Sequence, residues 1–186
     1  STIDDVRVAP LIESKWSQST AGGYKVYNYF TPNHYVCGCV ATAMAQLMRH
    51  WQYPTAGVGT NAFNIEVNGV PQARSLRGGD GLGGAYDWAS MPVMAGFTPT
   101  LAQRQAIGAL THDAGVAAHM AYTAGASGAF PDAAKNALLE VFQYSRAICG
   151  TASQGASLTA GIDAMVNANL DAGYPVLLGI SGVVGG

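Results

Sequence analysis

From Val40 onward the apolar residues Val40, Ala43, Met44, Leu47, Met48 and Trp51 recur at three- and four-residue spacing. That period predicts a helix with one buried face. Pro54 closes it, because neither proline nor the residue before it continues a helix. A second helix is expected over about 98–114. Thr98 would be its cap, Pro99 would sit in its first turn and Gly115 would end it, with Ile107, Leu110 and Ala114 facing inward. A third is expected over 131–144, burying Ala134, Leu138, Val141 and Phe142. A fourth would run from a Ser157 cap to about residue 172, with Gly173 as its stop.

Between the helices the pattern shortens. Segments 62–67 and 70–74 flank Asn68-Gly69, a pair that tolerates positive φ at both positions and so signals a tight hairpin. Residues 116–122 read as extended and 123–129 as a loop of small residues. The run 175–181 reads as a buried strand. A short helical turn is expected over 12–18, then loop over 19–23, then an extended aromatic arm carrying Tyr24, Tyr27, Tyr29 and Phe30. Five glycines among residues 77–84 predict an exposed, mobile loop. No internal repeat is visible, and no boundary divides the chain. The expectation is one α+β domain over 1–186, with helices mostly first and the sheet on the C-terminal side.

Composition narrows the function. Hydrophobic residues make up 49% of the 186 and charged residues 11%, enough to build a core and too few charges for a disordered chain. A net charge of −2 gives no electrostatic reason for a nucleic-acid partner or an anionic membrane. The longest apolar runs, such as 175–180, are far short of a membrane span. Nine Lys and Arg beside 24 glycines and nine tyrosines are compatible with an extracellular protein. The chain opens on Ser1 without an initiator methionine, and is expected to be a mature product or a portion of a longer one. Three cysteines leave one over if Cys37 pairs with Cys149, although Cys37 fits equally well as an unpaired core residue.

Cys39 enters the first predicted helix directly after Gly38. Unpaired backbone N–H groups and the helix dipole favour a thiolate there, and the thiolate is the attacking form of cysteine. A cysteine in that place also serves commonly as a small packed hydrophobe. A nucleophile further needs a base, a group that orients the base, and donors for the oxyanion. The Cys39 N–H supplies one donor, and Gln18, on a loop-rich arm upstream, is suited to supply another. A histidine base is harder to find. Papain-type enzymes place it roughly 130–150 residues after the cysteine, and no histidine lies between 169 and 186. His50 lies on the same helix but about 16 Å along its axis, beyond hydrogen-bond reach. His34 sits on a loop, and His112 and His119 read as surface or half-buried. Neither those two nor a nearby cysteine shows the spacing of a zinc site, so no metal or other cofactor is expected.

The run Gly38-Cys39-Val40-Ala41-Thr42-Ala43-Met44-Ala45-Gln46-Leu47-Met48, followed by Tyr53-Pro54, closely resembles the streptopain family of secreted bacterial cysteine peptidases. Further stretches resemble the same family in order: Pro10-Leu11-Ile12 through Trp16-Ser17-Gln18, Tyr86-Asp87-Trp88 with Met91-Pro92, and Gly173-Tyr174-Pro175-Val176-Leu177 with Gly185-Gly186. The resemblance implies a papain-like fold in which a helix-rich first part packs on an antiparallel sheet or barrel, incomplete in this chain. It implies an endopeptidase of broad specificity acting on polypeptides, made with an N-terminal prodomain that is later removed. By position, Cys39 would be the nucleophile and Gln18 the oxyanion-hole glutamine. Gly38, Ala126, Ser127, Gly128, Ser181, Gly182 and Gly185 would help to wall the substrate cleft. The family's catalytic histidine follows directly after a Gly-Gly like Gly185-Gly186, so it is expected on a C-terminal segment or a second chain. Two other readings stand beside this one: a catalytically inactive binding or scaffold module, and a papain-like amidase or transglutaminase.

Overall fold

The computed structural model describes residues 9–150 and 160–179. A two-residue ladder joins β1 (Thr20–Ala21) to β2 (Tyr24–Lys25). Helix α1 spans Cys39–Trp51, followed by the hairpin of β3 (Ala62–Val67) and β4 (Val70–Ser75). Then come α2 (Leu101–Ala117), β5 (Ala121–Tyr122), α3 (Pro131–Asn136) and α4 (Ala160–Asp171). Among the described residues no helix is long and apolar enough to cross a membrane.

Helix α1 forms where the period places it and buries Val40, Met44 and Met48 as expected, together with Ala41, Thr42 and Ala45. Ala43 and Leu47 are only half-buried, and Trp51, at the last turn, is exposed. The helix packs on α2, in which every residue from Ala106 to Ala117 is buried. A helix hydrophobic on all sides belongs in a protein's centre, and small residues let its neighbours close in. A Cβ at Gly115 would stand 2.2 Å from the Tyr122 hydroxyl oxygen, and one at Gly108 would stand 2.5 Å from Tyr29 Cβ. Gly115 therefore does not end the helix, as its sequence position suggested, but gives Tyr122 room. Nor does Thr98 begin it. Thr100 caps Gln103 N at 3.2 Å, and Gln103 Oε1 accepts from Thr100 N at 2.9 Å. This reciprocal box satisfies two donors at once, which a Thr98 cap could not do because Leu101 would stand at its third helical position.

The hairpin forms as expected, with Val67 opposite Val70 and positive φ at both Asn68 and Gly69. It lies between α1 and α2 in the chain rather than at the C-terminal side. Its partner on the other edge is β5, which pairs with β3 in parallel, so the sheet runs β4-β3-β5 and is open and mixed. The third predicted helix begins at Pro131 but widens into a π-turn over Ala137–Val141. Ala134, Leu138 and Phe142 are buried as expected, and Val141 packs against them.

Three other expectations are corrected. Residues 12–17 form no helical turn. Their polar groups go to distant partners instead: Lys15 N to Val93 O at 2.7 Å, Trp16 N to Gln46 Oε1 at 3.1 Å and Trp16 Nε1 to Pro92 O at 3.0 Å. Residues 175–179 form no strand. Their backbone has no ladder partner among the described residues, and Leu178 is 54% exposed. The fourth helix does end at Gly173, whose N–H donates to Leu170 O at 2.9 Å, while its predicted Ser157 cap and residues 180–181 of the predicted strand lie outside the described residues. The loop 77–84 is anchored rather than free. The fully buried Asp113 carboxylate accepts from Arg77 N and Gly78 N at 3.0 and 2.8 Å, and from Tyr86 OH at 2.8 Å.

Candidate active site

Gly38 is the N-cap of α1, and its φ of 87° with ψ of 152° suits glycine almost alone. Lacking a side chain, it gives α1 no side-chain cap, and among the described residues nothing takes up the first backbone N–H groups of the helix. Thr42 N is the first to bond back, to Gly38 O at 3.0 Å. Cys39 stands at this uncapped, electropositive end and is exposed. An accessible sulfur beside unpaired N–H donors combines a nucleophile with a place for developing negative charge.

The arm carrying Gln18 is joined to the same place. Cys37 N donates to Gln18 O at 2.9 Å, and Trp16 N donates to the Gln46 side chain on α1. The Thr42 hydroxyl lies 3.4 Å from Ser17 O and 2.9 Å from Gly38 O. Gln18 is thus held through its own carbonyl to Cys37, two residues before Cys39, and is half-buried. The sequence did not mark Thr42 and Gln46 as anchors. Their signal is the four-residue step Gly38, Thr42, Gln46, which sets three polar or small positions along one helix edge.

On the other side of Gly38 lies the 126–128 segment. A Cβ on Gly38 would be 2.8 Å from Ser127 O and 2.8 Å from Met120 Sδ. The segment is shaped by its own bonds: Ala121 and Gly128 exchange N–H···O bonds of 2.9 and 3.0 Å. Within the turn, Ser127 Oγ accepts from Thr123 N at 3.2 Å, and Thr123 Oγ1 donates to Ala126 O. Ser127 is buried, while Ala126 and Gly128 are exposed. The structure therefore brings together Gln18, Gly38, Cys39 and the 126–128 turn. Ser181, Gly182 and Gly185 lie outside the described residues.

Cys37 forms no disulfide, and neither does Cys149. The proposed pairing fails because Cys37 is fully enclosed, with Sγ 3.2 Å from Thr42 Oγ1. Burial pushes its thiol up to about 11, so it stays protonated and inert beside the exposed Cys39.

Among the described residues no histidine hydrogen-bonds the Cys39 thiol. His34 and His119 turn Nδ1 toward the carbonyls of Asn28 and Asn64, at 3.2 and 3.0 Å. His50 packs edge-on against Trp51. His112 is not the surface or half-buried residue expected but is only 3% exposed. Arg74 Nε donates to its Nε2 at 3.3 Å, leaving Nδ1 to donate to Asp113 Oδ1 at 2.8 Å. Among the described residues, no group of three histidine, cysteine or acidic side chains is gathered as for a metal ion.

The peptidase C10 family profile matches residues 16–186. Streptopain of Streptococcus pyogenes serotype M1 is 27% identical over 166 residues, covering 84% of this chain and 39% of that protein. The thiol protease/hemagglutinin PrtT of Porphyromonas gingivalis is 29% identical over 113 residues, 60% of this chain and 12% of PrtT. Among solved structures, the active wild-type interpain A cysteine protease of Prevotella intermedia superposes with a TM-score of 0.59 at 30% identity. It covers 73% of this chain and 55% of that one. A prointerpain A fragment from the same organism gives 0.56 at 27% identity, over 73% and 43%. The chain thus spans well under two thirds of the length of these relatives. The match nevertheless extends over nearly all of this sequence, and the neighbouring folds are papain-like: the chain belongs to the peptidase C10 family.

Proposed function

We propose that this chain is the nucleophile-bearing part of a cysteine endopeptidase. The observation that carries the reading is the exposed Cys39 at the uncapped start of α1, with the Gln18 arm bonded to Cys37 beside it. The Cys39 thiolate attacks a peptide carbonyl carbon and forms a tetrahedral oxyanion. The Cys39 N–H and the Gln18 side-chain amide hold that oxygen. The intermediate collapses to a thioester as the amine leaves with a proton from the base, and water then releases the acid. Because the four histidines here are engaged elsewhere or distant, the base is a histidine on a C-terminal segment or a second chain. Gly38 and the Ala126, Ser127 and Gly128 turn form one wall of the cleft, and Ser181, Gly182 and Gly185 contribute to another. The relatives, one solved as a pro-form, support an N-terminal prodomain, polypeptide substrates and secretion from a bacterium.

A thiol-directed peptidyl epoxide applied to the full-length protein should modify Cys39, and Cys39→Ala should abolish casein hydrolysis. Unchanged hydrolysis in Cys39→Ala would overturn the assignment.

A further inference from the structure

Between β4 and α2, sharing no lining residue with Gly38, Cys39 and Ser127, is a cavity of about 330 Å³ lined by Phe30, Arg74, Ser75, Leu76, Arg77, Gly81 and His112. That space equals about ten waters of the bulk liquid. Two guanidinium groups line it, and neither forms an ion pair among the described residues. Arg74 uses Nε on His112 and one terminal nitrogen on Phe30 O, at 3.3 Å each, which leaves three of its five N–H donors free. The Arg77 guanidinium lies flat on the Phe30 ring, 3.2 Å from its centroid. None of its side-chain donors has a partner among the described residues, and its Nε is buried. Stacking on the ring satisfies the face of the cation but not its edge.

The nearby carboxylates are committed elsewhere. Asp113 accepts from two backbone N–H groups, Tyr86 OH and His112. Asp80 accepts from Leu82 N and Gly84 N, at 2.8 and 2.9 Å. Burial lowers the pKa of Arg77 and the neighbouring Arg74 pushes in the same direction, while Asp113 and Asp80 oppose them. Two cations with no ion pair among the described residues beside one cavity, and a buried Arg77 donor unsatisfied there, call for an anion.

We propose that this cavity binds the oxyanion group of a small molecule, a phosphate or a carboxylate, between Arg74 and Arg77. The guanidinium groups donate their remaining N–H groups to its oxygens, and Ser75 and His112 border the group. The full chain is titrated calorimetrically with inorganic phosphate and, separately, with acetate, at constant ionic strength made up with chloride. At least one should bind saturably at one site per chain, and the two arms distinguish the chemistries. Arg77→Gln and Arg74→Gln should each weaken binding at least tenfold. In the unsubstituted chain the bound anion should also slow phenylglyoxal modification of Arg74 and Arg77, read by peptide mass spectrometry, and leave the exposed Arg146 unprotected. Absence of saturable binding by both anions overturns the proposal. So does saturable binding that leaves Arg74 and Arg77 as reactive as before.

Discussion

The Thr42 hydroxyl donates to the carbonyl of Gly38 at 2.9 Å, fixing the residue before Cys39 from one turn inside the helix. The hydroxyl has a single proton, and this short contact takes it ahead of Ser17 O at 3.4 Å. Thr42 thereby sets the angle at which Cys39 leaves the loop, while touching no reacting atom. Thr42→Val keeps the shape and removes the bond. A hydrogen bond of this kind is worth about 1 kcal/mol, so kcat/KM of the full-length protein should fall about tenfold or less. Thr42→Ser should restore it. Equal kcat/KM in the threonine, valine and serine forms would show that the bond positions nothing.

Gly38, beside Cys39, has no room for a side chain. Alanine there must adopt a backbone conformation nearly reserved for glycine, at a cost on the order of 1–3 kcal/mol. Its methyl would also meet Ser127 O and Met120 Sδ at 2.8 Å. The methionine is flexible and can yield, but the carbonyl belongs to a turn held by paired backbone bonds. Gly38→Ala should therefore lose about 2–3 kcal/mol in urea denaturation and lower activity by displacing the 126–128 turn. Full retention of both would contradict the packing around Gly38.

Local signals were legible in the sequence and distant pairings were not. The α1 helix and the Asn68-Gly69 turn each lie within a dozen residues, and both formed, although the buried face of α1 includes Ala41, Thr42 and Ala45 and leaves Trp51 exposed. The start of α2 was misplaced by two residues, because Thr98-Pro99 and the Thr100-Gln103 box compete and only the box satisfies two donors. The glycines of 77–84 suggested mobility, since nothing local reveals that Asp113, 35 residues beyond Gly78, holds the amides of Arg77 and Gly78. At the candidate site, Cys39 and Gln18 were picked out by pattern and resemblance, and the structure bonds Gln18 O to Cys37 N beside Cys39. Thr42, Gln46 and Met120 were not picked out, because inside a helix or a core each looks like ordinary packing until its partner is known.

Asp113 is the fixed point of the loop that follows β4. Each carboxylate oxygen accepts one backbone N–H and one side-chain donor. An asparagine in either orientation turns its NH₂ toward Arg77 N or Gly78 N and orphans that amide. Leaving a buried donor unsatisfied costs about 1–3 kcal/mol, and the lost charge-assisted bonds add to it. Asp113→Asn should destabilise the protein by about 3 kcal/mol and speed amide hydrogen exchange over residues 77–84. Unchanged exchange there would mean that the loop is held by other contacts.

Cys37 should make stability fall in alkaline solution, over a window set by its burial. Its thiol titrates at about 11 in the folded chain against an ordinary value of 9.0. Between those values the unfolded chain has released the proton and the folded chain retains it, so stability decreases as pH rises. The contribution is fully present below pH 9 and is lost as pH climbs toward 11. A difference of about two units corresponds to about 3 kcal/mol at most. Tyr86 and Tyr122, both raised by burial, add their own decline at higher pH, so the comparison must be made against Cys37→Ser. Serine does not titrate here. The unfolding free energy of the natural chain should drop more steeply than that of Cys37→Ser between pH 9 and 11, with the two running parallel below pH 8. Parallel curves throughout would place the Cys37 thiol in contact with solvent, where it would compete with Cys39 for thiol reagents.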